Sequence, residues 1–226
     1  LSRRIQVIRN TLQLIFLGLL LLGLYMKFKV VFIALLPLSL LTGNFFCGWL
    51  CPYGAAQEFF GALGKRIFKR KYRMPEDIQN YLQYSRYILA ILALAGLGTI
   101  FLEDVNSYKV FMTAGTDLST IVVSLSVVVM IGFLFISMLF ERPFCNYLCI
   151  EATKYGIASL TRVFTIKRRK DSCINCKRCN GACPMNISIS HVDSVRNAQC
   201  INCFECITAC PKRDTLSYGR VKGRKE

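Results

Sequence analysis

The twelve cysteines fall into four groups whose spacing suits metal chemistry. Cys173-x2-Cys176-x2-Cys179-x3-Cys183-Pro184 is the first run, and Cys200-x2-Cys203-x2-Cys206-x3-Cys210-Pro211 repeats it. This spacing holds a pair of four-iron clusters. Three close cysteines wrap three irons of a cube, and the distant cysteine of the other run reaches the fourth. One cluster is therefore expected on Cys173, Cys176, Cys179 and Cys210, the other on Cys200, Cys203, Cys206 and Cys183. Pro184 and Pro211 turn the chain away after each crossing ligand. CxxC pairs also bind zinc, but two identical runs, each closed by proline, favour clusters. Disulfides suit the spacing still less. Ile174, Ile187, Ile189, Phe204 and Ile207 are expected to line the clusters, and His191, between the runs, reads as a surface residue.

The other four cysteines form a repeat. Phe46-Cys47-Gly48-Trp49-Leu50-Cys51 matches Phe144-Cys145-Asn146-Tyr147-Leu148-Cys149 at an offset of 98 residues. Each copy follows a pair of apolar runs and precedes a stretch ending in basic residues. Cysteines at i and i+4 of a helical turn share a face. If two hairpins pack about a pseudo-two-fold axis, Cys47, Cys51, Cys145 and Cys149 converge. Four thiols there could hold a third iron–sulfur centre, a redox dithiol or a structural zinc; buried cysteine is also common as a small apolar residue. Trp49, the only tryptophan, reads as an interfacial anchor or a station on an electron path. Glu141 and Arg142 read as interface anchors.

The elements that must position these groups are apolar. Of 226 residues, 54% are hydrophobic, and the mean hydropathy is +0.41. That exceeds an ordinary soluble domain and is the opposite of the disorder signature. Apolar runs cover Leu14–Met26, Val30–Phe46, Ile88–Leu102 and Leu118–Phe140. A helical span wants roughly 20 residues, so the first two runs depend on their flanks. Of the 29 Lys and Arg, 26 fall outside the two presumed outer turns, which hold only Lys27, Lys29 and Lys109. By the positive-inside rule both termini and the middle loop are cytoplasmic, and no small-residue cleavage site follows the first run. The expectation is an all-α membrane part, four transmembrane helices as two repeated hairpins, with a small C-terminal α+β two-cluster ferredoxin domain. Residues 1–158 form the first, with repeats at about 8–71 and 80–170, and residues 159–226 the second. Ser159–Lys170 is expected to be a basic connector lying along the membrane surface.

The formal charge of +16 is explained by topology, and no stacking or groove-reading motif points to nucleic acid. A single His excludes a haem held by two histidines of this chain. No nucleophile–base pair, phosphate loop or catalytic carboxylate pair appears, which excludes hydrolases and kinases.

Gly43-Asn44-Phe45-Phe46-Cys47-Gly48-Trp49-Leu50-Cys51-Pro52-Tyr53-Gly54 resembles the FCGWxCPxG block of the NapH-type membrane ferredoxins, a family related to the NosR and MauN groups. The second copy departs from it, with Ile150 in the place of Pro52. The resemblance implies four spans in a prokaryotic cytoplasmic membrane, 4Fe–4S clusters, and electron transfer beside other redox subunits. Two [4Fe–4S] clusters are expected, a third centre if the membrane cysteines bind one, and no haem. A basic surface suits an acidic ferredoxin or flavodoxin. Rival readings are a quinol dehydrogenase with its own quinone site, using Glu103 or Asp104, and a structural anchor of a redox complex. A metal reductase or assembly factor is a further rival, disfavoured by the lack of a Met- or His-rich tract.

Overall fold

The computed structural model describes residues 2–22, 37–69, 72–95, 111–112, 125–212 and 214–220. Lys27, Lys29, Glu103, Asp104, Lys109 and Asp117, together with parts of all four apolar runs, lie outside them.

The chain opens with a helix, Ser2–Leu21. It begins well before the first apolar run because Arg9 and Gln13 belong to its packed face. With Leu20 they are buried, at a spacing of four and seven residues that keeps them on one side. Val7, Ile8, Leu14, Ile15 and Leu21 are exposed on other sides. Its Arg4–Leu21 stretch is, among the described residues, the one helix long and apolar enough to cross a membrane. The helix packs against the short π-helical turn Phe46–Leu50, the helix Pro52–Phe68 and the small helix Glu205–Ala209.

Pro52–Phe68 starts with proline, whose fixed φ suits the first helical position. It lies against the helix Leu125–Ile136 and the turn that follows. Gly64 makes this approach possible: a Cβ there would stand 2.0 Å from the Met138 carbonyl oxygen. The helix Glu76–Leu94 packs against two consecutive short helices, Pro143–Tyr147 and Ile150–Ala158.

The expected surface connector is instead part of the C-terminal domain. Phe164–Arg168 is a strand paired antiparallel with Leu216–Arg220, with Ile166 opposite Tyr218. Thr165 and Ile166 are buried and Lys167 and Arg168 half-buried. The basic residues that suggested a connector thus belong to a paired strand and the turn that follows it. The short helices Arg178–Gly181 and Glu205–Ala209, one after each cysteine run begins, pack together. One continuous core runs from Phe46, Cys47, Tyr53 and Phe144 through Ile166, Met185 and Ile189 to Ile201, Phe204 and Leu216. The ferredoxin part is therefore docked on the helices rather than tethered to them.

Charge is buried at that junction. Arg142, expected at an interface, is 0% exposed. Its Nε donates to Glu58 at 3.0 Å and its Nη1 to the Cys47 carbonyl at 2.6 Å. Arg9 pairs with the same Glu58 from the first helix, and its Nη1 reaches Glu205 at 2.9 Å. Gln13 donates to Glu58 at 3.0 Å. The two guanidinium groups hold the Glu58 carboxyl below its ordinary value against the opposing effect of burial. Glu58→Gln leaves both arginines without their shared counter-charge. The expected loss is about 3 kcal/mol, the low end for a broken buried pair, because the Glu58 side chain is 21% exposed. It is read as a lowered unfolding midpoint of the detergent-solubilised protein; an unchanged midpoint would show that the arginines are satisfied without Glu58.

Candidate iron–sulfur centres

All twelve cysteines are free thiols. In the second run, Cys200, Cys203 and Cys206 gather with Cys183 of the first, close enough to act on one another electrostatically. All four are buried. Burial pushes the Cys183 thiol up to about 11. Cys173, Cys176 and Cys179 line one cavity with Cys210 of the second run. The crossing pattern expected from the spacing is thus the pattern of proximity in the fold. This second group is more open: Cys176 is exposed and Cys173, Cys179 and Cys210 are half-buried. The Cys173 thiol lies below its ordinary value, first because the Asn175 backbone hydrogen-bonds it and then through Arg168. Left-handed backbone at Asn175, Lys177, Asn202 and Phe204 bends each run around its site. Of the residues expected to line the clusters, Ile187, Ile189 and Phe204 are buried and Ile207 packs against the same core. Ile174 borders the cavity but is 59% exposed. His191 is exposed.

The membrane-motif cysteines also converge. Cys47, Cys51, Cys145 and Cys149 are all buried and lie within electrostatic reach of one another. The local geometry differs from a single helical turn. Each pair straddles a break: the second cysteine leaves the first turn and N-caps the next helix. Cys51 has φ −70° and ψ 112°, and Cys149 has φ −73° and ψ 110°. Cys51 N–H donates to the Phe46 carbonyl and Cys149 N–H to the Phe144 carbonyl, at 2.9 and 3.0 Å. Gly54 N–H donates to Cys51 Sγ and Ala152 N–H to Cys149 Sγ, both at 3.4 Å. Every one of these pairs obeys the 98-residue offset. The copies also exchange partners. Gln57 Nε2 donates to Cys145 Sγ at 3.3 Å, while its equivalent Tyr155 lies beside Cys47. Phe46 stacks on Tyr155 at 4.9 Å and Phe144 meets Tyr53 at 5.2 Å, both across the copies, though Tyr53 and Tyr155 are not equivalent positions. The exchange made by the equivalent pair Gln57 and Tyr155 is what a pseudo-two-fold axis between the copies produces.

The donor set fits a thiolate-bound iron–sulfur group. Two of the sulfurs cap helix N-termini, where the macrodipole favours negative charge. Three receive N–H donors, which is how proteins stabilise cluster sulfurs. As free thiols they are poor nucleophiles, since burial pushes Cys47 up to about 12 and raises Cys51 and Cys149 as well. Among the described residues no three Cys, His, Asp or Glu side chains are gathered as a single-ion site. A cube differs from a single ion in binding each sulfur at a different iron.

The second run is seated on the first membrane motif. Gly48, between Cys47 and Cys51, meets the Ile201 carbonyl oxygen so closely that a Cβ would stand 2.1 Å from it. Trp49 is half-buried at this junction, its Nε1 donating to the Asn202 carbonyl at 3.0 Å. Its ring meets Phe204 edge-on at 6.1 Å. Arg9 joins both sides, donating to the Gly48 carbonyl at 3.1 Å and the Cys203 carbonyl at 3.4 Å. Arg73 donates to the Cys183 carbonyl at 3.0 Å. A cleft of about 660 Å³ opens beside this junction, lined by Arg9, Glu58, Lys65, Arg142, Arg178 and Glu205 among others. Arg9, Glu58, Arg86 and Arg142 were not singled out as parts of a site by cysteine spacing. Their one signal in the sequence is charge set within or beside apolar runs.

A 4Fe-4S binding domain model matches residues 28–71 and 124–149, a span that includes both membrane cysteine pairs. A 4Fe-4S dicluster domain model matches residues 165–211. The chain is similar to the putative electron transport protein YccM of Escherichia coli, 29% identical over 75% of this chain and 49% of that one. An uncharacterized protein of Methanocaldococcus jannaschii is 31% identical over 70% of this chain and 66% of its own. The ferredoxin-type protein NapH of Haemophilus influenzae is 28% identical over 65% and 49%. Matches named NirI and NosR cover 61% of this chain. The chain thus spans between about half and two thirds of the length of the first of these relatives. No solved structure matches it.

Gly48→Ala is expected to lift the Ile201 loop from the first motif. Trp49, the single tryptophan, reports it: its emission shifts to the red and acrylamide quenches it more. An unchanged spectrum would show that the loop yields without undocking.

Proposed function

The chain belongs to the NapH/NosR-like 4Fe–4S membrane protein family, and from that premise we propose a membrane-bound iron–sulfur electron-transfer subunit. It relays single electrons between a cytoplasmic-face ferredoxin domain and the membrane or a partner redox subunit. Iron–sulfur electron transfer is common ground among its relatives; the anchoring, the direction of flow and the partners are this proposal's own. Bound 4Fe–4S clusters supply one-electron chemistry, and the protein contributes spacing, burial and hydrogen bonds.

In this reading Cys173, Cys176, Cys179 and Cys210 hold the outer cluster, and Cys200, Cys203, Cys206 and Cys183 the inner one. Cys47, Cys51, Cys145 and Cys149 hold a third centre. The observation that carries it is the docking of the Cys200–Cys206 loop on the Cys47–Cys51 motif. Gly48, Trp49 and Arg9 seat the loop that carries the most buried cysteines of the ferredoxin part on the backbone of the first membrane motif. A structural anchor needs no such seat.

Four spans with both termini cytoplasmic remain part of the proposal. They are supported by the Lys and Arg distribution and by apolar side chains left exposed along several helices. Leu14, Leu21, Leu41, Ile88, Ile91, Val128, Ile131 and Phe135, all within the expected spans, are examples. Such a display suits lipid better than water.

One observation favours a second reading, a quinol dehydrogenase proper. The charged cleft beside Glu58 has the volume of a cofactor-sized ligand site. It adjoins the first helix, which would lie in the membrane, and the ferredoxin helices. On this reading a short-chain quinol reduces the isolated chain without a partner subunit.

The outer group faces solvent beside exposed Lys170, Lys177, Arg178 and Lys212, with Ile174 uncovered among them. That surface suits an acidic carrier such as a small ferredoxin or flavodoxin. Reduction by such a carrier should slow steeply as ionic strength rises, because salt screens the attraction between exposed charges. A salt-independent rate would remove this face from consideration.

Iron and acid-labile sulfide per chain test the reading as a whole. Anaerobically purified protein should hold about twelve irons, three cubes' worth. The Cys47→Ser/Cys145→Ser double variant should fall to about eight, keeping both ferredoxin signals. Eight in both proteins would reduce the membrane cysteines to thiols. Zinc with little iron would overturn electron transfer altogether.

A further inference from the structure

The membrane-side thiols stand in buried positive charge that carboxylates do not fully answer. Arg86, on the helix Glu76–Leu94, is 1% exposed. Its guanidinium rests 5.0 Å from the centre of the Tyr87 ring, and its Nη2 donates to Tyr87 Oη at 3.1 Å. Its backbone carbonyl accepts from Thr153, four residues past Cys149. Its Nη2 also lies beside Gly156, where a Cβ would stand 3.5 Å away in ordinary contact. Among the described residues Arg86 makes no ion pair.

Arg142 stands at the first motif itself, with Nη1 on the Cys47 carbonyl and against Gly54. Arg86 and Arg142 both act electrostatically on Cys47 and Cys145. Arg142 has Glu58, but Arg9 shares it. Glu205, which also meets Arg9, is 38% exposed at the rim and largely answered by water. The buried set of Arg9, Arg86 and Arg142 against Glu58 therefore carries an excess of positive charge.

An uncompensated buried guanidinium is costly, so the fold calls for an anion within reach of both, as Cys47 and Cys145 are. Four neutral thiols supply none. Four thiolates around an oxidised four-iron cube carry a net charge of about −2.

We propose that Arg86 and Arg142 are the counter-charges of the four-cysteine centre, retaining the thiolate-bound group and setting its potential. This rests on the reading that those cysteines hold an iron–sulfur centre. Each reduction adds one electron and one negative charge to the centre. Two fixed positive charges nearby favour that addition. Removing one makes the centre harder to reduce, while the ferredoxin clusters, which Arg86 does not touch, keep their potentials. Arg86 is the better probe because Arg142 also supports the Glu58 network.

The test is an EPR-monitored redox titration of the full chain in detergent, with iron per chain, for wild type, Arg86→Gln and Arg86→Lys. The signal absent from the Cys47→Ser/Cys145→Ser variant identifies the membrane-side centre. In Arg86→Gln that signal should move to lower potential, or be lost with about four irons. The two ferredoxin signals should stay in place. Arg86→Lys keeps the charge and should restore both iron content and potential, which a purely structural role would not require. If Arg86→Gln retains the full iron content with all potentials unmoved, or shifts all three signals alike, the counter-charge assignment is overturned. If wild type itself holds only about eight irons and no third signal, the underlying reading fails instead and takes this inference with it.

Discussion

Glu58 lies between Arg9 and Arg142, and the junction of the molecule is built around that shared carboxylate. Arg9 comes from the first helix, Glu58 from Pro52–Phe68, and Arg142 from the turn that leads into the second cysteine motif. None of the three side chains could be buried alone. Brought together they fix the mutual position of three segments far apart in sequence, and their remaining donors are spent on carbonyls. Arg142 takes that of Cys47, and Arg9 those of Gly48 and Cys203. The backbone of the membrane motif and that of the second ferredoxin run are thereby held to one frame. Misplacement of any one segment strands a charge, which gives the junction a specificity that apolar packing alone would lack.

Within that frame the two cysteine motifs are equivalent inside and different outside. Toward the shared centre the equivalence is close: helix-capping cysteines, matching N–H···S bonds, and Gln57 and its counterpart Tyr155 each reaching a cysteine of the other copy. Toward the ferredoxin part it breaks down. Gly48 admits the Ile201 carbonyl, whereas its counterpart Asn146 carries a side chain and is buried near Cys183 and Pro184. Trp49 and its counterpart Tyr147 divide in the same way. Trp49 donates to the Cys200–Cys203 loop, and Tyr147 borders the cavity beside Arg73. A symmetric pair of motifs can hold a symmetric four-thiol site, but only one copy can seat a single asymmetric domain. The sequence differences between the copies fall where that seat is made.

The chemistry of this chain is more legible in its sequence than its architecture. Eight cysteines at cluster spacing and four more at a 98-residue offset announce their grouping, because ligand spacing is a local property and survives without knowledge of the fold. The strand Phe164–Arg168 was hidden by its own basic residues, which suggested a membrane surface until Leu216–Arg220 supplied a partner. Trp49 and Arg142 suggested interface anchors because aromatic and basic residues collect at membrane boundaries. Here the boundary is occupied by protein, and the same side chains turn inward. Arg9 and Arg86 were counted toward topology, and nothing local to either distinguishes a guanidinium facing water from one facing a buried thiolate.

Exposure separates the solvent-facing Cys173 group from the Cys200 and Cys47 groups, which are both buried. Burial penalises added negative charge, so solvation alone would make the two buried groups harder to reduce than the outer one. A relay inward from the outer group would then run uphill. Fixed positive charge offsets part of that penalty where solvent is excluded. Arg9 stands beside Cys203, and Arg142 and Arg86 beside Cys47 and Cys145. The outermost group, which water already stabilises, has only exposed lysines and arginines around it. The buried arginines are concentrated where solvent is excluded, as a chain must arrange them if its deepest centre is to accept an electron from its shallowest.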